Sequence, residues 1–411
     1  MVLNDNKTNR ILFIETGGTS SGGSFRMLYY HLKFMDKQKY KPVVVFVNKS
    51  HYSDTIRKMG IPVYTLTDCL LSEHVTPLLT LVLHKTARFI ETFMPFLYLT
   101  YIRIIKAPLI FQVCRIIDKY NIDIVHLHSQ IQRDLFGVFA VKKMKVPCVS
   151  HLRSDRSKGY DQIRANFCNR FITSYLAISE KIRSYWLTLG LDDMKTILLY
   201  DGIFISEIKP ADIRKEWDIS DSNKYIIGCV GRLSWEKGHT FLLNAFKHFS
   251  ETIPDAVLMI VGDGAIKKEL ELTANEIGIR EKIIFTGHQL NSLEMIASFD
   301  LLIVPSEKEP FGLVTIEGMQ VGTPVIGTNS GGIPDIIENN SNGLLVEYND
   351  TKGLSEKMKK LLNDEHLRLK IINNGYKTVN ERFSIERYVN DLDKIYESTL
   401  EKNKVSGSGN S

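Results

Sequence analysis

Short continuous apolar runs rich in β-branched residues recur along the whole chain, separated by amphipathic stretches. In the first half they fall at 11–14, 42–47, 62–66, 123–127, 146–150, 175–178 and 196–199. In the second half they fall at 225–230, 256–261, 282–285, 301–304, 324–326 and 343–346. Each reads as a strand buried on both faces, the condition of a parallel sheet covered by helices. Helical patterns such as 239–249 and 266–277 supply the covers. The expected fold class is α/β with two doubly wound Rossmann-like domains. The length of 411 residues suits two cores of about 200 residues each. A turn at Asp201-Gly202, followed by Pro210, places the boundary near 200–210. Residues 1–205 are then the first domain and 206–383 the second. Residues 384–401 are a last helix crossing back to the first domain, and the Gly/Ser-rich 402–411 a disordered tail.

Residues 70–115 break this rhythm: they are apolar, with no clear strand. From 84 to 115 they carry Lys85, Arg88, Arg103, Lys106 and Arg115 against the single acid Glu91. Such a mixture suits surface helices resting on anionic lipid, an anionic membrane partner; helices simply packed on the first domain are the alternative. No uncharged apolar run reaches the roughly 18 residues of a spanning helix, and Pro77 and Pro95 interrupt the longest candidates. The N-terminus lacks the apolar stretch of a signal peptide. The expected location is cytoplasmic and peripheral on the inner face of the cell membrane. Cys69, Cys114, Cys148, Cys168 and Cys229 are widely spaced without C-x-x-C, and read as buried free thiols. A net charge of +5 permits anionic partners but is too small to indicate nucleic acid.

The chemistry concentrates in two motifs. Gly231-Arg232-Leu233-Ser234-Trp235-Glu236-Lys237-Gly238 follows the run at 225–230 and leads into a helix. That edge is where an open α/β sheet binds ligands. Gly231 permits a tight turn. Arg232 and Lys237 set two cations beside a helix N-terminus, which already favours anions, and a diphosphate fits there. The second motif runs Glu309-Pro310-Phe311-Gly312-Leu313-Val314-Thr315-Ile316-Glu317 after the run at 301–304. Glu309 falls on the loop at the sheet edge, with a helix expected from about Phe311. Backbone N–H groups of Phe311, Gly312 and Leu313 can meet phosphate or sugar oxygens. Each glutamate can accept hydrogen bonds from a diol, one from a sugar and the other from a ribose.

The combination of G-R-L-x-x-E-K-G, Gly262-Asp263-Gly264 and the Glu309/Glu317 spacing resembles glycosyltransferase family 4, retaining enzymes of the GT-B fold. Phe285-Thr286-Gly287, Pro305-Ser306, Gly322-Thr323-Pro324-Val325 and Gly331-Gly332 agree with it. The resemblance is dense from about 226 to 338 and thinner before. It implies two domains facing across a cleft, an acceptor-binding first and a second holding a UDP- or GDP-linked sugar. It assigns Arg232 and Lys237 to the leaving diphosphate, Glu309 to the donor sugar and Glu317 to the ribose. Gly287 and His288 would line the base pocket, and Gly231 would border the donor. Asp263 would add a hydrogen bond or shape the turn beside the nucleotide. In the first half, the loop Gly17-Gly18-Thr19-Ser20-Ser21-Gly22-Gly23 is brought near the donor phosphate, through Gly22 and Gly23. His128, ending His126-Leu127-His128, matches the family histidine beside the donor sugar. His128, Arg232, Lys237 and Glu309 make up the implied catalytic set. His151 and Arg153 stand at an acceptor position; with Arg156 and Lys158 the basic group either binds an anionic acceptor or faces solvent. Asp201-Gly202 departs from a usual Asn-Gly, which concerns the hinge.

No metal or cofactor is expected. Asp391-Leu392-Asp393 spells D-x-D, but on a helix successive residues point to different faces. The cationic pair would balance the diphosphate instead. The implied reaction is transfer of a hexose-type sugar by front-face attack, the departing phosphate taking the acceptor's proton. The acceptor would be a glycan or lipid-linked molecule of cell-surface glycan synthesis. An epimerase or hydrolase of the same fold would need no acceptor. A non-catalytic nucleotide-sugar-binding module is the other alternative, against which the intact Arg232, Lys237, Glu309 and Glu317 weigh.

Overall fold

The computed structural model describes residues 8–16, 23–47, 52–66, 82–83, 85–87, 89–90, 93–129, 131–155, 162–222 and 224–408. The chain divides into two compact units, one of Met1–Tyr200 with Tyr388–Ser411 and the other of Asp201–Arg387.

In the first unit β1 (Asn9–Glu15), β2 (Tyr40–Val47), β3 (Val63–Leu66), β4 (Ile124–Leu127), β5 (Cys148–Leu152), β6 (Ser174–Ala177) and β7 (Thr196–Leu198) form one sheet. Its order is β3-β2-β1-β4-β5-β6-β7, and every neighbouring pair is parallel. Burial on both faces explains the unbroken apolar runs: Ile11, Leu12, Phe13 and Ile14 are all fully buried.

The second unit repeats the plan with β8 (Tyr225–Val230), β9 (Ala256–Val261), β10 (Ile283–Gly287), β11 (Leu301–Val304), β12 (Val325–Thr328) and β13 (Leu344–Val346). The order is β10-β9-β8-β11-β12-β13, again all parallel. Its core joins Phe241, Phe246 and Phe249 of the helix His239–Ser250 with Leu354 and Met358 of the helix Thr351–Asn363. In each sheet the chain lays strands outward on one side, then returns to continue on the other. The reversals lie between β1 and β4 and between β8 and β11. Loops leaving those strand ends diverge, so each sheet has a crevice at that edge.

The described part of 70–115 includes the helices Pro95–Ile105 and Ala107–Tyr120, meeting at Lys106 with a bend of 67°. Residues 70–81 lie outside the described residues. The second helix buries Leu109, Ile110, Val113, Ile116 and Ile117. The first, despite its apolar sequence, has no buried residue among those whose side chains are described. Phe93 is 69% exposed, Phe96 64%, Ile104 65% and Phe111 57%. Among the described residues no single helix is long and apolar enough to cross a membrane.

The last helix spans Ile385–Ser408, past the Glu401 end expected from the sequence. Residues 402–408 therefore extend a helix where a disordered tail was expected; 409–411 lie outside the described residues. The physical reason is cooperativity: once a helix is anchored, each further residue adds a hydrogen bond for one residue fixed. The anchor is a stripe of buried Tyr388, Leu392 and Tyr396 at helical spacing. Cys114, Cys148, Cys168 and Cys229 are buried thiols; Cys69 lies outside the described residues.

Candidate active site

At the reversal of the second sheet, backbone hydrogen bonds tie two loops into one platform. Gly231 N donates to Val261 O at 2.9 Å and Leu233 N to Asp263 O at 3.0 Å. Gly262 has φ +142°, and a Cβ there would stand 1.9 Å from Gly231 O, so only glycine permits the approach. Asp263 is exposed and accepts from Gly264 N at 2.7 Å, which shapes the turn. Gly262 N also donates to Gly287 O at 2.9 Å, holding the end of β10, where His288 is exposed.

A 3-10 turn, Trp235–Lys237, precedes the helix His239–Ser250. Gly238 between them lies so close to the loop after β11 that a Cβ would meet Pro305 O at 1.9 Å. Glu236 O accepts from Glu307 N at 2.9 Å and Lys308 N at 3.3 Å. These contacts bring Lys237 Nζ to 2.6 Å from Glu309 Oε2, which also accepts from Ser306 Oγ at 3.1 Å. Behind Glu309, Gly332 N donates to its carbonyl at 2.8 Å, and a Cβ on Gly331 would come within 2.0 Å of it.

Arg232 does not join this pair. Its side chain is 61% exposed and its Nη2 lies 3.4 Å from Glu236 Oε1. The helix of the second motif is Leu313–Gln320, starting two residues beyond Phe311 because Gly312 takes φ +111°. No side chain caps its first turn. Phe311 turns its ring inward against Phe383, centroids 5.9 Å apart. Glu317, just over one turn into the helix, is buried. The roles of Glu236, Gly238 and Gly331 were not read from the sequence. Their motif positions were the available signal, but what they approach is set by the fold.

At the reversal of the first sheet, Gly23 opens the helix Gly23–Phe34; Gly22 and the rest of 17–22 lie outside the described residues. His128 follows β4 and is fully buried. Its Nδ1 lies 3.0 Å from Glu15 Oε2, at the end of β1. Glu15 also accepts from Ser24 Oγ at 2.8 Å and from the Ser129 hydroxyl. Burial alone would raise the Glu15 carboxyl, but the hydrogen bonds from His128, Ser129 and Ser24 lower it. Arg153 Nε donates to His128 O at 3.1 Å, and its Nη2 lies 3.3 Å from His128 Nε2.

His126 and His151 turn the other way. His126 Nδ1 is 2.6 Å from the Tyr396 hydroxyl, and its Nε2 is 2.7 Å from His151 Nδ1. His151 Nε2 lies 3.5 Å from the Tyr388 hydroxyl. Both rings thus face the last helix inside the unit. Arg156 and Lys158 lie outside the described residues. Asp391 and Asp393 serve different partners, Lys394 at 3.2 Å and Lys39 at 2.6 Å. Among the described residues no three His, Cys, Asp or Glu side chains are grouped to hold a metal.

The model of the family "Glycosyl transferases group 1" matches residues 211–378. An uncharacterised glycosyltransferase of Methanocaldococcus jannaschii is 30% identical over 295 residues, 69% of this chain and 77% of that protein. The chain belongs to the group 1 glycosyltransferases. Another such relative, the N-acetyl-alpha-D-glucosaminyl L-malate synthase of Bacillus anthracis, is 28% identical over 304 residues, 71% of this chain and 79% of that one. The crystal structure of Anabaena HepE with UDP and glucose matches with a TM-score of 0.76 at 21% identity, covering 94% of this chain and 99% of that one. The two all-parallel sheets of this glycosyltransferase are those of the GT-B fold.

Proposed function

We propose that this glycosyltransferase moves a hexose-type sugar, with retention, from a UDP- or GDP-linked donor to a glycan or lipid-linked acceptor of cell-surface glycan synthesis. The observation that carries the reading is the 2.6 Å contact of Lys237 with Glu309 at the reversal of the second sheet. Cation and carboxylate neutralise one another there, and a sugar diphosphate offers each a fuller partner. Lys237 takes the diphosphate, and Glu309 takes sugar hydroxyls as a multiple acceptor. Arg232, on its exposed turn, adds the second cation to the leaving group. The uncapped N–H groups near Gly312 and Leu313 supply further donors. Glu317 holds the ribose, and Gly231, Asp263, Gly287 and His288 border the nucleotide. In the first unit Gly22, Gly23 and His128 serve the donor phosphate and sugar, and Arg153 an anionic acceptor.

The cations stabilise charge that grows as the phosphate departs, and the phosphate takes the acceptor's proton on the same face. In this reading no metal is required. HepE was crystallised with UDP and glucose, which favours a UDP-hexose first. The Bacillus relative's name gives L-malate, a small soluble acid, as its acceptor. Here the exposed Phe93, Phe96 and Phe111, beside Arg103, Lys106 and Arg115, favour an acceptor met at an anionic membrane surface on the cytoplasmic face. The test is release of UDP or GDP from a panel of UDP- and GDP-hexoses in excess EDTA. Slow hydrolysis of one donor, undiminished by chelation, is expected. No release from any donor would overturn the reading; loss on chelation, restored by magnesium or manganese, would overturn its metal independence.

A further inference from the structure

The strand β1 ends in a buried carboxylate, Glu15, for which the sequence motifs had no use. Its place beside His128 has a definite chemical consequence. We propose that Glu15 is a positioning residue that fixes His128 as a neutral ring protonated on Nδ1, leaving Nε2 an acceptor. The proposal rests on the reading above, in which His128 touches the donor sugar.

The argument is one of donors and acceptors. An ionised carboxylate only accepts, so at 3.0 Å from Glu15 Oε2 the Nδ1 must carry a proton. A guanidinium only donates, so at 3.3 Å from Arg153 Nη2 the Nε2 must be bare. The two partners demand the same tautomer from opposite sides of the ring. Ser24 and Ser129 donate into the same carboxylate, which favours its ionised form. Arg153 is further anchored through His128 O at 3.1 Å. The other titratable groups bearing on the ring are His31, His126 and His151, all kept neutral chiefly by burial. A sugar hydroxyl that takes the place of the Arg153 guanidinium would meet an acceptor. His128 would then receive a hydrogen bond from that hydroxyl, strengthened by the carboxylate behind the ring.

The test is nitrogen NMR of the full chain labelled at histidine, with His128 assigned as the resonance lost in His128→Gln. At neutral pH the wild-type ring is expected to show Nδ1 protonated and Nε2 bare. A ring protonated on Nε2, or on both nitrogens, overturns the proposal. Glu15→Gln keeps the shape and removes the charge. It is expected to lower the proton affinity of His128 at least about tenfold, the lower end for losing an opposite charge at this range. Glu15→Asp is expected to keep the wild-type tautomer. An unchanged His128 titration in Glu15→Gln assigns control of the ring to Arg153 alone and overturns the proposal. Donor hydrolysis by His128→Ala, over the panel of UDP- and GDP-hexoses, tests the underlying reading separately. Unchanged turnover there removes His128 from the sugar while leaving the tautomer result intact.

Discussion

Lys237 reaches Glu309 because Gly238 and Gly331 leave no side chain between their loops and the backbone they approach. The pair is held by geometry rather than by its own attraction, since a partly exposed ion pair is worth about 1 kcal/mol or less. Lys237→Ala is therefore expected to leave the fold intact, Glu309 keeping its hydrogen bond from Ser306. Turnover is expected to fall by roughly 10²–10³, the cost of losing one preorganised donor to a developing anion. Donor hydrolysis alongside a melting curve checks this, and near-normal turnover would remove Lys237 from the diphosphate. At this scale motif spacing singles out Lys237 and Glu309 in the sequence, but not their contact, which joins loops after β8 and β11, adjacent only in the folded sheet. Glu15 was invisible for the same reason: a glutamate at a strand end has no chemistry until β4 brings His128 beside it. His151 looked like an acceptor contact because a strand-end histidine does not show which side its ring takes.

The thirteen apolar runs all became strands, since burial on both faces leaves a pattern that needs no partner to be recognised. The length of the last helix was less legible, because it depends on anchoring. That anchor is a hydrogen-bonded chain, Tyr396 to His126 to His151 to Tyr388. At 2.7 Å, only one of the two facing ring nitrogens can carry a proton. Charging either histidine would set N–H against N–H, with Arg153, His31 and His128 near and Tyr40 and Asp393 at the helix. Burial first, with the Arg153 charge acting in the same direction, holds both imidazoles well below their ordinary value of 6.5. The unfolded chain therefore binds protons before the folded one as the pH falls below about 6.5, and stability is lost in that direction. His31 and His239, both also lowered, act with the same sign. The melting temperature is expected to drop between pH 7.5 and 5.5. Joint replacement His126→Gln and His151→Gln is expected to flatten that drop, and an equally steep one in the double variant would contradict the account.

For the molecule as a whole, two questions remain: where it works and what product it makes. Phe93, Phe96 and Phe111 offer apolar area, and Arg103, Lys106 and Arg115 offer charge worth about 1 kcal/mol each near an anionic surface. The protein is expected to sediment with anionic vesicles at low salt and to be partly released at high salt, which screens only the charges. The triple variant Phe93→Ser, Phe96→Ser, Phe111→Ser is expected to leave them fully at high salt; wild type that stays in the supernatant at low salt would make these helices an ordinary surface. The product depends on which face of the sugar the acceptor attacks. Inversion needs a general base opposite the departing phosphate. A carboxylate-backed histidine has the makings of one, and Glu15 stands behind His128 in that way. Its other nitrogen, however, faces the Arg153 guanidinium at 3.3 Å. Taking a proton there would set an imidazolium against a guanidinium in a buried site, where like charges interact strongly. The ring suits accepting a hydrogen bond better than removing a proton. Attack on the face of the departing phosphate needs no such base, because the phosphate takes the proton, and in the proposed reading Lys237 and Arg232 supply its stabilisation. An α-linked donor is then expected to give an α product, read directly from the anomeric signals of the product by NMR. A β product would make His128, with Glu15 behind it, the base, and would require Arg153 to leave the ring before reaction.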